Sequence, residues 1–198
     1  HAPHVTSEQL SLKLRGNAVP AILLLPRSER PLPVALLLHG YSSTKERLAT
    51  TIGRSLAARG IASLSLELPL HGARDDALTA QARSNPLALL SEWRRALAEA
   101  GAAVEWLSAD ARFDAGRIAA LGYSLGSYVA IITAAGEPRV RAVAVAAGGD
   151  LPDTPWTGMM RRLADPLKAV RRLRGRPLLL LHGRRDRTIA PVQAQRLY

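Results

Sequence analysis

Short apolar runs alternate along the chain with turns and with stretches of helical period. Residues 11–15 and 21–25 read as a leading pair of strands, with 27–33 as the turn region after them. Residues 34–38 form a continuous apolar run of strand length. It ends in His39-Gly40 and leads into Ser43-Thr44-Lys45-Glu46, a capping-box pattern for the next helix. That helix sets Leu48, Ile52 and Leu56 on one face and stops at Gly60, a residue suited to the left-handed position after a helix.

Residues 61–68 give the next strand, followed by a loop through His71 and Asp76 and a long helix opened by Asn85-Pro86. Leu90, Trp93, Leu97, Val104 and Leu107 recur along that helix at the spacing of a buried stripe. Residues 117–121 predict a strand, 125–135 a helix closed by Gly136, and 140–146 another strand. Residues 151–174 form an excursion with a helix from Pro166 to about Leu173, capped by Asp165. The last strand is 178–181, and Pro191 opens a helix that the sequence cuts off at Tyr198.

Apolar strands separated by helices predict the α/β class: a mostly parallel central sheet flanked by helices. There is no repeat, no low-complexity tract and no linker longer than a loop, so residues 1–198 read as one domain. Sheets of this kind gather their functional loops at the C-terminal ends of the strands. Polar residues fit for chemistry should therefore follow the apolar runs at once. They do so at His39-Gly40-Tyr41, Gly122-Tyr123-Ser124 and His182-Gly183-Arg184-Arg185-Asp186.

Composition narrows the chemistry. The absence of cysteine excludes disulfide scaffolds, thiolate metal sites and cysteine nucleophiles. An apolar share of 47% and a charged share of 22% belong to a folded globular chain. No apolar run approaches the ~18 residues of a membrane span. The lack of cysteine and of a visible signal favours the cytoplasm, while an opening His1 rather than Met leaves a processed N-terminus and secretion open. The formal charge is +11, and 24 of the 27 basic residues are arginine. From 161 to 198, eleven Lys and Arg face two acids, Asp165 and Asp186, a balance that suits either anionic partners or a solvated face. Aromatics are only 4% and none interleaves with the arginines as a base-stacking motif, so no nucleic-acid partner is expected. No H-E-x-x-H, P-loop or G-x-G-x-x-G occurs, and no metal or cofactor is expected.

The sharpest signal is Gly122-Tyr123-Ser124-Leu125-Gly126, set between a predicted strand and a predicted helix. A serine nucleophile there needs a tight turn that lifts its Oγ clear of the sheet, and glycines two positions away let strand and helix backbones pass closely. The helix starting at Leu125 offers free N–H groups and the positive end of its dipole to a developing oxyanion.

On these residues the chain resembles the α/β-hydrolase superfamily, most closely its small dienelactone-hydrolase-like and prolyl-oligopeptidase-like serine esterases. The resemblance runs from about Val34 to Tyr198. It rests on His39-Gly40-Tyr41-Ser42-Ser43, Pro69-Leu70-His71-Gly72, Gly122 through Gly126, and His182-Gly183-x-x-Asp186 with Pro191 beyond. It implies Ser124 as nucleophile, the Tyr41 and Leu125 N–H groups as oxyanion hole, each worth roughly 3–4 kcal/mol, and Asp186 as the acid that orients an imidazole. Asp150 is a second candidate for the acid. A serine at 124 argues against dienelactone hydrolysis proper, whose family nucleophile is cysteine, and against dehalogenases, which use aspartate.

The departure is the histidine. The family order is Ser, Asp, His, and every histidine here (1, 4, 39, 71 and 182) precedes Asp186. His39 belongs to the oxyanion loop and His182 ends a strand, so both read as structural; His71 lies near the cleft mouth and can touch substrate; His1 and His4 read as a tail. The expectation is a chain lacking the closing C-terminal strand and helix, with the catalytic histidine roughly 25–35 residues past Tyr198. Trp156, Met159 and Met160, with His71, are the candidates for an acyl or alcohol pocket, while Trp93 and Trp106 read as core. The predicted activity is hydrolysis of carboxylic esters of small or short-chain acyl groups through an acyl-enzyme. An acyltransferase, a peptidase or a non-catalytic binding protein on the same fold are the alternatives, and oligomeric state is open.

Overall fold

The computed structural model describes residues 4–75, 84–151, 154–173 and 175–198, with the side chains of Pro155 and Trp156 outside the description. Its strands are β1 (Val5–Leu14), β2 (Asn17–Pro26), β3 (Leu32–Leu38), β4 (Ala62–Leu66), β5 (Phe113–Tyr123), β6 (Val140–Ala146) and β7 (Leu178–Leu181). They form one sheet in the order β1-β2-β4-β3-β5-β6-β7. The pairs β1–β2 and β2–β4 are antiparallel and the remaining four are parallel. This is the expected α/β architecture with a mostly parallel sheet.

The central strand β3 explains the layering. Val34, Leu36 and Leu38 point into the main core, while Ala35 and Leu37 pack on the other face against Leu48, with Ile52 and Leu56 beside them. A strand buried on both faces must read as an unbroken apolar run, as 34–38 does. The helical segment over the second face starts at Lys45–Leu48 (α1), widens into a π-helical turn at Ala49–Gly53 and resumes at Arg54–Ala57 (α2). Over the first face lie α3 (Pro86–Ala109), capped by the Asn85 side chain, and α4 (Leu125–Gly136). The excursion holds α5 (Pro155–Leu163) and α6 (Pro166–Arg171), and α7 (Pro191–Gln195) follows β7. None of the described helices is long and apolar enough to cross a membrane.

Several expectations need correction. The leading strands are longer than 11–15 and 21–25, because they form a hairpin in register from Val5↔Pro26 to Leu14↔Asn17. Its turn takes Arg15 (φ 48) and Gly16 (φ 86) through positive φ, the geometry a two-residue hairpin loop demands. The polar half of β1 alternates with its buried half and so lacked an apolar run. The capping box at Ser43–Glu46 does not form: Thr44 is the N-cap and its side chain caps no helix amide, and the Lys45 N–H goes to Glu67 Oε1 at 3.2 Å instead. Helix α5 escaped the sequence reading, although Thr154-Pro155 with Thr157 three residues on is a start signal, and Thr154 and Thr157 do cap each other. Asp76 lies outside the described residues. On β7, Leu179 and Leu181 are 54% and 55% exposed.

Candidate active site

Parallel register brings the strand ends to one edge: Leu38 pairs with Gly122, Gly122 with Val145, and Ala146 with Leu181. The loops leaving that edge carry the residues singled out in the sequence. Among the described residues five non-glycines have positive φ, and four of them, Ser42, Leu70, Ser124 and Ala147, lie in the loops after β3, β4, β5 and β6. Strain of this kind persists only where surrounding structure enforces it, and it gathers at functional sites.

Ser124 is the turn between β5 and α4, with φ 50 and ψ −115. Its amide donates to Ala146 O at 2.8 Å, and Ser127 Oγ donates to Gly122 O at 3.0 Å and Ala146 O at 2.9 Å. The two glycines are sterically required. A Cβ on Gly122 would strike the Gly126 carbonyl, and one on Gly126 would strike the Leu38 carbonyl. As the first residue of α4, Leu125 has an amide that the helix itself leaves without an acceptor. Opposite, a Cβ on Gly40 would stand 3.1 Å from Ser124 Cβ, so the loop carrying Tyr41 lies directly against the serine.

A buried polar cluster lies under that loop. Glu67, fully buried, accepts from Lys45 Nζ at 2.9 Å and from the Lys45 amide. His39 Nδ1 donates to Gly40 O at 2.9 Å, while Nε2 accepts from the Leu68 amide at 3.0 Å and lies 3.1 Å from Glu67 Oε1. Burial pushes the Glu67 carboxyl up, and hydrogen bonds and charge from His39 and Lys45 more than reverse this, holding it below the ordinary value. Sequence reasoning missed both Glu67 and Lys45. The signal was present: a carboxylate inside an apolar strand run must have a cationic partner.

The two candidate acids differ. Asp186 Oδ1 accepts from the amides of Thr188 at 2.8 Å and Ile189 at 3.0 Å, leaving Oδ2 3.7 Å from His182 Nε2. Those amides, Ile189 first, hold its carboxyl below the ordinary range. It lines an open groove of about 800 Å³ together with Tyr123, the residue before Ser124, and Ala146. Asp150 is buried and bonded to Arg161 at 2.6 Å and Arg196 at 3.2 Å. Burial raises its carboxyl, and the two guanidinium groups outweigh that and lower it. Asp150 therefore ties the excursion and α7 to the loop after β6, and its carboxylate is already engaged.

A second cavity, of about 240 Å³, has Tyr41 and Leu125, the residue after Ser124, in its wall beside Leu68, Trp93, Val129 and Met160. His71 lines this cavity, its ring edge-on to Tyr41 at 5.4 Å and to His39 at 5.1 Å. Met159 is half-buried and faces elsewhere, since adjacent helix positions point about 100° apart. The Trp156 side chain lies outside the described residues. Trp93 is buried as expected but also forms cavity wall, and Trp106 packs against Phe113. Each of the three sheet-edge histidines gives one ring nitrogen to a backbone carbonyl: His39 to Gly40, His71 to Pro69, His182 to Ile189. Residues 35–197 match the Alpha/beta hydrolase family.

The chain belongs to that family. Among curated relatives of this α/β hydrolase, it is 33% identical over 135 residues to the hydrolase acrC of Aspergillus aculeatus, covering 63% of this chain and 30% of that protein. It is 32% identical over 130 residues to the esterase FrsA of Salmonella paratyphi B, covering 65% of this chain and 28% of that one. The chain thus spans less than a third of the length of these relatives. A cold-adapted esterase from an Arctic intertidal metagenomic library superposes with a TM-score of 0.75 at 19% identity, over 98% of this chain and 78% of the solved one. That likeness is one of fold.

Proposed function

We propose that this α/β hydrolase cleaves carboxylic esters of small or short-chain acyl groups, with Ser124 as nucleophile. The observation that carries the reading is the positive-φ turn at Ser124, fixed by the close approach of Gly122, Gly126 and Gly40. Such a turn lifts Oγ away from the sheet toward the Tyr41 and Leu125 amides. Ser124 Oγ attacks the ester carbonyl carbon, and the carbonyl oxygen becomes an oxyanion held by those two N–H groups. The tetrahedral species collapses, the C–O bond to the alcohol breaks, and an acyl-serine remains until water repeats the attack and restores the hydroxyl.

A base must take the Oγ proton and return it to the leaving alkoxide. The proposed base is a histidine outside residues 1–198, because the family order sets the histidine after the acid and all five histidines here precede Asp186. Asp186, a groove-lining residue with one oxygen fixed by two amides and the other 3.7 Å from His182 Nε2, is the proposed partner of that imidazole. The apolar cavity of about 240 Å³ is smaller than the usual drug-sized pocket, which supports a short acyl or alcohol group against His71 and Met160.

A non-catalytic binding role is the second reading, favoured by the lack of an imidazole bonded to Ser124 Oγ among the described residues. Labelling by a fluorophosphonate probe and p-nitrophenyl acetate turnover, both on the full-length protein, decide between them. Hydrolase chemistry requires labelling and turnover that both vanish in Ser124→Ala; an unlabelled wild-type protein supports the binding role.

A further inference from the structure

The loop that carries Tyr41 is fastened at both ends to the segment Glu67-Leu68. At its start, His39 Nε2 accepts from the Leu68 amide at 3.0 Å. At its end, Lys45 reaches the Glu67 carboxylate twice, through its amide to Oε1 at 3.2 Å and through Nζ to Oε2 at 2.9 Å. Between these anchors the Ser43 amide donates to Gly40 O at 3.2 Å, closing a turn with Tyr41 and Ser42 at its centre and φ 57 at Ser42. A turn with positive φ at its third residue is strained for serine, so the ends must hold it.

The carboxylate is itself immobilised. Gly72, at φ +52, packs so closely over Glu67 that a Cβ there would overlap the carboxyl group. Arg74 donates to Glu67 O at 3.0 Å and forks onto Glu99 of α3 at 2.7 and 2.9 Å. Ser65 Oγ holds Lys45 O at 2.7 Å. A chain of contacts therefore runs from α3 through Arg74 and the Glu67-Leu68 segment to both ends of the loop, and through His39 and His71 to the cavity wall at Tyr41.

We infer that Glu67 is a positioning residue that fixes the Tyr41 amide as an oxyanion donor by clasping the Lys45 end of its loop, the His39 end being held by the neighbouring Leu68 amide. The inference rests on the hydrolase reading for its catalytic consequence but not for the clasp. Glu67 touches no reacting atom; it acts through the placement of a donor, and misplacing a donor by about 1 Å lowers turnover on the order of a hundredfold. The effect falls on kcat, because the oxyanion exists only in the transition state, while KM, set by the cavity, stays within about twofold.

The test uses Glu67→Gln, which keeps the volume and removes the charge, in the full-length protein. Two readouts are taken: kcat and KM for p-nitrophenyl acetate, and hydrogen exchange of residues 40–43 against that of α4 as internal reference. The expected result is a kcat lower by about a hundredfold with near-constant KM, and exchange of 40–43 faster by at least about tenfold with α4 unchanged. Lys45→Met removes the Nζ contact and keeps the amide one, and should give smaller changes in the same direction; it is the variant to read if Glu67→Gln does not fold. Unchanged kcat and unchanged exchange in the folded variant overturn the inference. A wild-type protein without esterase activity defeats the hydrolase reading alone, and the exchange arm still decides the clasp.

Discussion

Asp150 and Asp186 leave the sheet from the adjacent strands β6 and β7, and their carboxylates are used in opposite ways. Asp150 is buried and bridges Arg161 and Arg196, whereas Asp186 lines an open groove, tied through one oxygen to two amides and with no basic group other than His182, at 3.7 Å, beside the second among the described residues. Asp150→Asn should destabilise the protein by about 3 kcal/mol, since two guanidinium groups lose a buried anion; the value sits at the low end because Arg196 is partly exposed. Asp186→Asn retains an acceptor for the Thr188 and Ile189 amides. It should leave the thermal midpoint nearly unchanged while lowering ester turnover by about 10⁴. Thermal melts and p-nitrophenyl acetate rates on the two variants check the division of labour; the reverse pattern would assign the catalytic acid to Asp150.

Three glycines separate close approach from mere composition. Gly122 and Gly126 have backbone carbonyls where a Cβ would stand, while Gly101, inside α3, has nothing within 4 Å. Gly122→Ala and Gly126→Ala should each cost about 3 kcal/mol or more, because backbone cannot yield as a side chain can. Gly101→Ala should stabilise by about 1 kcal/mol through helix propensity alone. Urea midpoints distinguish the cases, and a harmless Gly126→Ala would mean that α4 does not press on β3 as described.

Tyr128 gives the protein an alkaline limit. Its hydroxyl is buried without a hydrogen-bond partner among the described residues. Burial first, and the Asp150 charge second, push its phenol up to about 12. In the unfolded chain the phenol ionises near pH ~10. Between these values the unfolded state binds fewer protons than the folded one, so stability falls as pH rises, by about 3 kcal/mol in all, and below pH ~10 the group contributes nothing. Tyr128→Phe should flatten this decline and leave neutral-pH stability unchanged or raised, since no bond is lost. Urea denaturation at about pH 8 and about pH 11 measures both effects.

Local pattern alone fixed the α/β class, the helix beginning at Asn85-Pro86, the left-handed residue at Gly60 and the strand–turn–helix around Ser124. Periodicity, caps and glycine spacing act over a few residues and need no partner to be read. Tertiary structure decided everything that depends on residues distant in sequence. It paired the polar half of β1 with β2, and it gave the Lys45 amide to Glu67, 22 residues away, in place of a local capping box. It also engaged Asp150 with Arg196 across 46 residues, and turned Met160 rather than Met159 toward the cavity. Burial sets these choices: a carboxylate removed from water must take whatever cation the fold brings to it, and no window of sequence contains that cation.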